Sequence, residues 1–411
     1  MAEPDLLVTF TGPDRPGQAG RLLARMAQLG WAILDVEQVS IRRRLLLGVL
    51  VGGGDVSDSA RRSLADVAQD IGLATEFEDI RPDTTPPRPA PPRSLPLNQG
   101  RLLVTLLGAE LGPQVLGSVA DAIGASGANI DRIVRLSDYP VFSYQFDVSG
   151  AEAESLRAVL GTEAARLQID VAVQTSGLHH RAQRLVVLDV DSTLIQGEVV
   201  ELLAEHAGVG PEVERITHEA MAGHLDFEEA LRARVALLAG LDAAVIDHVR
   251  DHLQLTPGAR TLIRTLKRLG YATAIVSGGF TQVTDDLVAG LGIDYAAANT
   301  LEIRHGVLTG GLVGAVVDRA GKAEALERFA QEAGVPLSLT VAVGDGANDL
   351  DMLARAGLGI AFNAKSIVRA AADTSVSVPY LDAILFLLGI PRDEIEQADA
   401  TDSDARAPDA R

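Results

Sequence analysis

Asp189 and Asp191 stand one residue apart in Asp189-Val190-Asp191-Ser192-Thr193, directly after the apolar run 185–188. Two carboxylates at that spacing can divide the work of a reaction. One oxygen anion attacks an electrophilic centre while the other carries a proton to or from the reacting group. An Asx turn after a strand has the same composition. Ser277-Gly278-Gly279 follows a second apolar run, 272–276. Glycines let backbone N–H groups approach an anion, and a following helix N-terminus adds positive potential; a plain strand-to-helix turn is the ordinary alternative. Lys322 begins a helical run, 323–333. A lysine there opposes the helix dipole, which a bound anion would explain, although a solvated surface lysine needs no such reason. Gly344-Asp345-Gly346-Ala347-Asn348-Asp349 follows the run 340–343. Two carboxylates on a glycine-rich strand end suit a hard cation with oxygen ligands, and they also suit a turn capped by Asn and Asp. The order of the four stretches, each at a strand end, is what unrelated turns do not supply.

The elements that must position them follow from periodicity. From residue 184 onward, apolar runs at 185–190, 272–276, 294–298, 339–344 and 358–361 alternate with helical patterns. That predicts a parallel α/β sheet with helices on both faces, and such sheets bind ligands beyond the carboxyl ends of their strands. Residues 199–253 break the alternation, read as nearly all helical, and predict a cap inserted after the first strand; 299–315 predicts a β-hairpin. Upstream, residues 1–175 repeat one order twice: strand, helix, strand, strand, helix, strand. This predicts a duplicated α+β unit, 1–80 and 101–176, joined by the proline-dense spacer 81–100. In the tail, 392–411, acidic residues mix with Ala and Ser and apolar periodicity stops, so disorder is expected.

Composition bounds the partners. The 411 residues carry 36 basic and 56 acidic side chains, a net charge of −20. A chain so acidic lacks the basic footprint of a nucleic-acid or anionic-membrane binder. An anionic substrate would need a local positive site, which a metal ion could provide. There is no cysteine, and hence no disulfide or thiol chemistry. Neither a signal peptide nor a membrane span is read from the sequence, so a cytoplasmic location is expected.

Taken together, the four stretches resemble the motifs of the haloacid dehalogenase superfamily of phosphatases, in order, across about 184–390. The resemblance implies a Rossmann-like sheet with a helical cap at about 198–255 and assigns roles. Asp189 would take the phosphoryl group as nucleophile. Asp191 would protonate the leaving oxygen and then deprotonate the hydrolytic water. The Asp189 carboxylate, the Asp191 carbonyl and Asp345 would hold Mg²⁺. Ser277, Gly278 and Lys322 would bind the transferring phosphate, with Asn348 at the substrate and Thr193, Gly279 and Asp349 in support.

The cap string Met221-Ala222-Gly223-His224-Leu225-Asp226-Phe227, running on to Arg234, resembles that of phosphoserine phosphatases, as does Glu198 after the first motif. A small amino-acid phosphate presents an ammonium that needs a carboxylate and a carboxylate that suits a guanidinium fork. Carried over, Glu198 would contact the amino group, Arg234 the carboxylate, and Met221 and Phe227 would wall the site; periodicity alone would leave Glu198 and Arg234 on solvated helix faces. Such enzymes release serine in the last step of its biosynthesis. Each half of 1–175 resembles an ACT domain, a ferredoxin-like amino-acid-binding module. The first carries Thr11-Gly12-Pro13-Asp14-Arg15-Pro16-Gly17 at its strand–helix turn, and the second a degenerate turn from Gly108 and a strand starting near Asn129. This implies an effector site at Asp14, Gly17, Gly108 and Asn129, with L-serine as feedback inhibitor, and a homodimer through these domains. Two alternatives stay open: an amino-acid-sensing protein whose phosphatase fold is inert, and a phosphotransferase or phosphoprotein phosphatase on the same fold.

Overall fold

The computed structural model describes residues 5–53, 56–80, 101–177, 185–221 and 225–406, with Met221 and 401–406 described by backbone alone. The spacer 81–100 lies outside the described residues. The chain divides into two units, Met1–Pro96 and Leu97–Arg411.

In the first unit, strand Asp5–Pro13 is central, pairing antiparallel with Arg44–Gly52 and with Ala74–Ile80. Ala32–Ile41 pairs with Arg44–Gly52 and forms the edge. Successive side chains of a strand point to opposite faces, so Leu6, Val8 and Phe10 reach one core together with Leu45, Leu47, Val49 and Val51. The helices Gln18–Gln28 and Asp58–Asp70 close that core through Leu22, Met26 and Leu64.

The second unit opens with the same order. Strand Arg101–Gly108 lies between Phe142–Ser149 and Asp170–Thr175, with Asn129–Asp138 on the edge. Here the alternation is lost, and Leu102 through Leu107 are all buried. The helices Pro113–Ala125 and Ala153–Leu167 cover one face. Leu107, Leu136, Val141 and Ala172 instead join the core of the seven-stranded sheet that follows. The carboxylate of Asp170 is buried at this junction. It accepts from Ser375 Oγ (2.7 Å), Ser377 N–H (2.6 Å) and Ser377 Oγ (2.9 Å).

The large sheet has seven strands, in the order Val307–Val313, Tyr295–Arg304, Ala272–Phe280, Leu185–Asp189, Thr340–Gly344, Leu358–Phe362 and Thr374–Val376. All neighbours are parallel except the terminal hairpin. Two apolar layers sandwich it. Val186, Leu188 and Ile275 face one side with Leu262 and Leu266. Leu185, Val187 and Ala274 face the other, with Leu326 and Phe329. Both faces are covered, so the strands read as unbroken apolar runs. The strand ending in Asp189 lies between those ending near Ser277 and at Gly344, which brings three of the four motifs to one edge.

The inserted cap is helical: Val199–Ala207, Gly210–Met221, Phe227–Ala236 and Val245–His252. Its two connections pair with each other, Gln196 N–H on Gln254 O at 2.8 Å and Thr256 N–H on Leu194 O at 3.0 Å. The expected disorder of the tail is corrected over Arg392–Arg406, which is a helix; 407–411 lie outside the described residues. Its anchors lie outside the tail. Ile395 is buried, Arg392 Nη1 binds Asp382 (3.1 Å), its Nε donates to Tyr139 O (3.0 Å), and Asp399 pairs with Arg264 and Arg268.

Candidate active site

Asp189 closes its strand and is buried. The backbone then turns sharply over Val190–Leu194, and Ser192 takes φ 59°, a left-handed conformation uncommon for serine. Ser192 N–H donates to Gly197 O (3.0 Å), and Thr256 Oγ1 donates to Thr193 O (2.7 Å). The turn leaves Asp191 between two elements. Its Oδ2 accepts from Ser277 Oγ at 3.0 Å and its Oδ1 from Val199 N–H at 2.9 Å. Gly279 N–H donates to Ser277 Oγ at 2.7 Å, and a Cβ on Gly279 would sit 2.9 Å from Asp191 Oδ2, so a larger residue there would push Asp191 or Ser277 aside.

Lys322 is fully buried. Its helix, Arg319–Glu332, starts earlier than the sequence suggests, because Asp318 caps it by accepting from Gly321 N–H at 2.8 Å. The ammonium donates to Asp189 Oδ1 at 2.6 Å and Asp349 Oδ1 at 2.7 Å. A buried charge is tolerable only with such partners. Burial disfavours its protonated form, yet the two carboxylates outweigh burial and hold it above the ordinary lysine range. Asp349 Oδ2 accepts from Gly346 N–H at 2.9 Å, so both its oxygens are engaged. Asn348 is half-buried, with its Oδ1 over Gly346.

One lysine does not neutralise this many acids. Burial pushes the Asp189 carboxyl well up, with Asp349 adding to it, and burial likewise raises Asp191. Asp345 is pushed up to about 6, again by burial first and Asp349 second. Among the described residues, oxygens of Asp189, Asp345 and Asp349 lie within 4.8 Å of one another. An all-oxygen set with excess negative charge fits a hard divalent cation. Since Asp349 is committed to Lys322 and Gly346, Asp189 and Asp345 are the carboxylates with oxygens left for a metal. Asp345 is steadied by Thr193 Oγ1 at 3.3 Å.

The cap supplies the other end. Phe227 and Arg234 lie seven residues apart on one helix, hence on one face. Asp226 and Glu229 form a capping box at its start. Phe227 packs over Gly278, where a Cβ would lie 2.8 Å from its ring. Arg234 is 8% exposed and its Nη1 reaches Glu198 Oε2 at 3.4 Å, while its Nε is buried without a hydrogen-bond partner. Burial, helped by Asp191 and opposed by Arg234, pushes Glu198 up to about 7. Met221 ends its helix, and its side chain lies outside the described residues. Thr256, which ties the cap hinge to the Asp191 turn, had no chemical signal in the sequence beyond the Thr256-Pro257-Gly258 turn.

The two N-terminal modules differ at the turns expected to bind an effector. In the first, Asp14, Gly17, Gln38 and Leu45 line a cavity of about 330 Å³, and Gly17 has φ 85°. In the second, Leu111 is buried against Gly108, and Asn129 is exposed with its amide on Asp131 (2.7 Å).

Comparison with known proteins agrees with this geometry. Residues 186–354 match the haloacid dehalogenase-like hydrolases, and 4–78 and 102–174 each match an ACT domain. A phosphoserine phosphatase of Streptomyces coelicolor is 55% identical, covering 98% of this chain and 96% of that one. One from Mycobacterium tuberculosis is 48% identical, covering 98% of each. The crystal structure of a HAD-family hydrolase from Salmonella enterica serovar Typhi superposes with a TM-score of 0.63 at 30% identity, covering 70% of this chain and 98% of that one. No helix among the described residues is long and apolar enough to cross a membrane. With the strand-end acids, the buried lysine and whole-length likeness in agreement, the chain belongs to the phosphoserine phosphatase family of haloacid dehalogenase-like phosphoric monoester hydrolases, preceded by two ACT domains.

Proposed function

We propose that the chain hydrolyses O-phospho-L-serine to L-serine and phosphate through a phosphoryl group carried on Asp189. The observation that carries the substrate is the buried Arg234, which has an unpartnered Nε, contacts Glu198 through Nη1 and lies near enough to Asp191 to act on its charge. A buried donor without a partner is costly, and a substrate carboxylate satisfies it. The substrate ammonium would lie on Glu198, and Phe227 over Gly278 would help to wall the site.

The reaction runs in two displacements. An Asp189 oxygen attacks phosphorus as the bond to the seryl oxygen breaks. Asp191, whose raised pKa favours the protonated acid, delivers its proton to that oxygen. Asp191 then takes a proton from water, the water oxygen attacks phosphorus, and the bond to Asp189 breaks. Lys322, Ser277 and Gly278 would hold the phosphoryl oxygens. Asp189, the Asp191 carbonyl and Asp345 would hold Mg²⁺, which when bound supplies the positive charge that neutralises those oxygens.

L-Serine would act as feedback effector at the first ACT turn, a reading supported by the open cavity at Asp14 and Gly17. A homodimer through these domains is supported by the edge strand Ala32–Ile41, exposed along its length and carrying Ile33, Leu34, Val36 and Ile41. The test is phosphate release from a panel of small phosphomonoesters, with and without Mg²⁺ and serine. Phosphoserine should lead the panel and require the metal; an equal rate on every ester would remove the substrate assignment.

A further inference from the structure

Asn299 sits on strand Tyr295–Arg304 and is 2% exposed. Two hydrogen bonds occupy its amide. Nδ2 donates to Gly278 O at 2.9 Å, and Oδ1 accepts from Val317 N–H at 2.8 Å. Both partners belong to the phosphate end of the site. Strand Ala272–Phe280 pairs in register with Tyr295–Arg304 up to Val276–Ala297 and resumes at Phe280–Asn299. Between these pairs one strand advances four residues and the other two, so Ser277-Gly278-Gly279 leaves the ladder. A backbone carbonyl taken out of a ladder in a buried sheet needs another donor, and for Gly278 that donor is Asn299. Val317 directly precedes Asp318, whose side chain caps the helix carrying Lys322.

We infer that Asn299 is a positioning residue: a strut that sets the Ser277–Gly279 loop at a fixed spacing from the start of the Lys322 helix, without itself touching substrate. The side chain must donate at one end and accept at the other, 21 and 18 residues away along the chain. Asparagine does both. Aspartate, of the same shape, can only accept and would set a carboxylate against the Gly278 carbonyl.

The inference rests on the phosphoryl-transfer reading of Asp189, and the experiment separates the two. Wild type, Asn299→Asp and Asn299→Ala are assayed on phosphoserine and p-nitrophenyl phosphate, and the competitive Ki of inorganic phosphate is measured, a constant that does not depend on the fraction folded. For Asn299→Asp, kcat should fall by about 10²-fold on both substrates. The Ki of phosphate should rise by about tenfold, as when a hydrogen bond to a charged group is lost. Asn299→Ala should share the defect, because it loses both bonds. A phosphate Ki within twofold of wild type in both variants, even if Tm falls, would overturn the strut and leave only a packing role. A wild-type chain that releases no phosphate from either ester would instead remove the reading beneath it.

Discussion

The two ends of the active site are built differently. The phosphate end stands on strand ends and a capped helix, with Lys322 held by Asp189 and Asp349, and Asp191 by Ser277 and Val199. The amino-acid end hangs from the inserted cap. There Arg234 and Glu198 meet at a loose 3.4 Å, with a donor left over and a carboxyl near neutrality at about 7. In the proposed reaction, preorganised charge would lower the barrier for any phosphoryl group, whereas the adjustable pair would choose the molecule that carries it.

Mutations should therefore split by location. The largest effect is expected from Asp189→Asn, with kcat lowered by at least about 10⁴-fold on phosphoserine and p-nitrophenyl phosphate alike, the scale of removing a nucleophile. Retained turnover on either ester would break the division. Next is Arg234→Ala, where KM for phosphoserine should rise by about 10²-fold from loss of the charge-assisted contact proposed for the substrate carboxylate. KM for p-nitrophenyl phosphate should barely move, and equal losses on both would put Arg234 in a general structural role.

The pH dependence tests Glu198. Its carboxyl must be ionised to hold an ammonium, and burial raises it to about 7. Below that pH the neutral acid predominates, so KM for phosphoserine should improve by about tenfold between about pH 6 and about pH 8. Glu198→Gln should raise KM and flatten the profile to whatever the substrate's own phosphate contributes. A profile unchanged in Glu198→Gln would show that another group titrates. The smallest effect on catalysis is expected in the first ACT domain. Gly17→Ala strains a φ of 85° at the cavity and should weaken inhibition by serine severalfold with kcat unchanged. Inhibition as strong as in wild type would place the effector elsewhere.

The same contrast explains what the sequence could disclose. The phosphate end was legible because buried parallel strands leave continuous apolar runs, and the acids at their ends stand out against them. Periodicity alone leaves Glu198 and Arg234 on solvated helix faces, and only the resemblance of the cap string marks them, because helical periodicity reports packing and not chemistry. Asn299 and Thr256 were silent, because each acts through backbone groups distant in sequence. The helix from Arg392 was hidden for a similar reason. Asp382, Arg264, Arg268 and Tyr139 anchor it from other parts of the chain, and an acidic run without apolar periodicity gives no hint of them. The lost alternation from Leu102 to Leu107 was a visible sign that the second ACT sheet is covered on both faces.

One measurement reaches the central claim most directly: rapid quenching in acid during turnover of phosphoserine, followed by peptide mass analysis. A phosphoryl group on the peptide containing Asp189, absent from Asp189→Asn, is the predicted result. Full turnover with no phosphorylated protein at any quench time, or a phosphoryl group on another residue, would contradict the account.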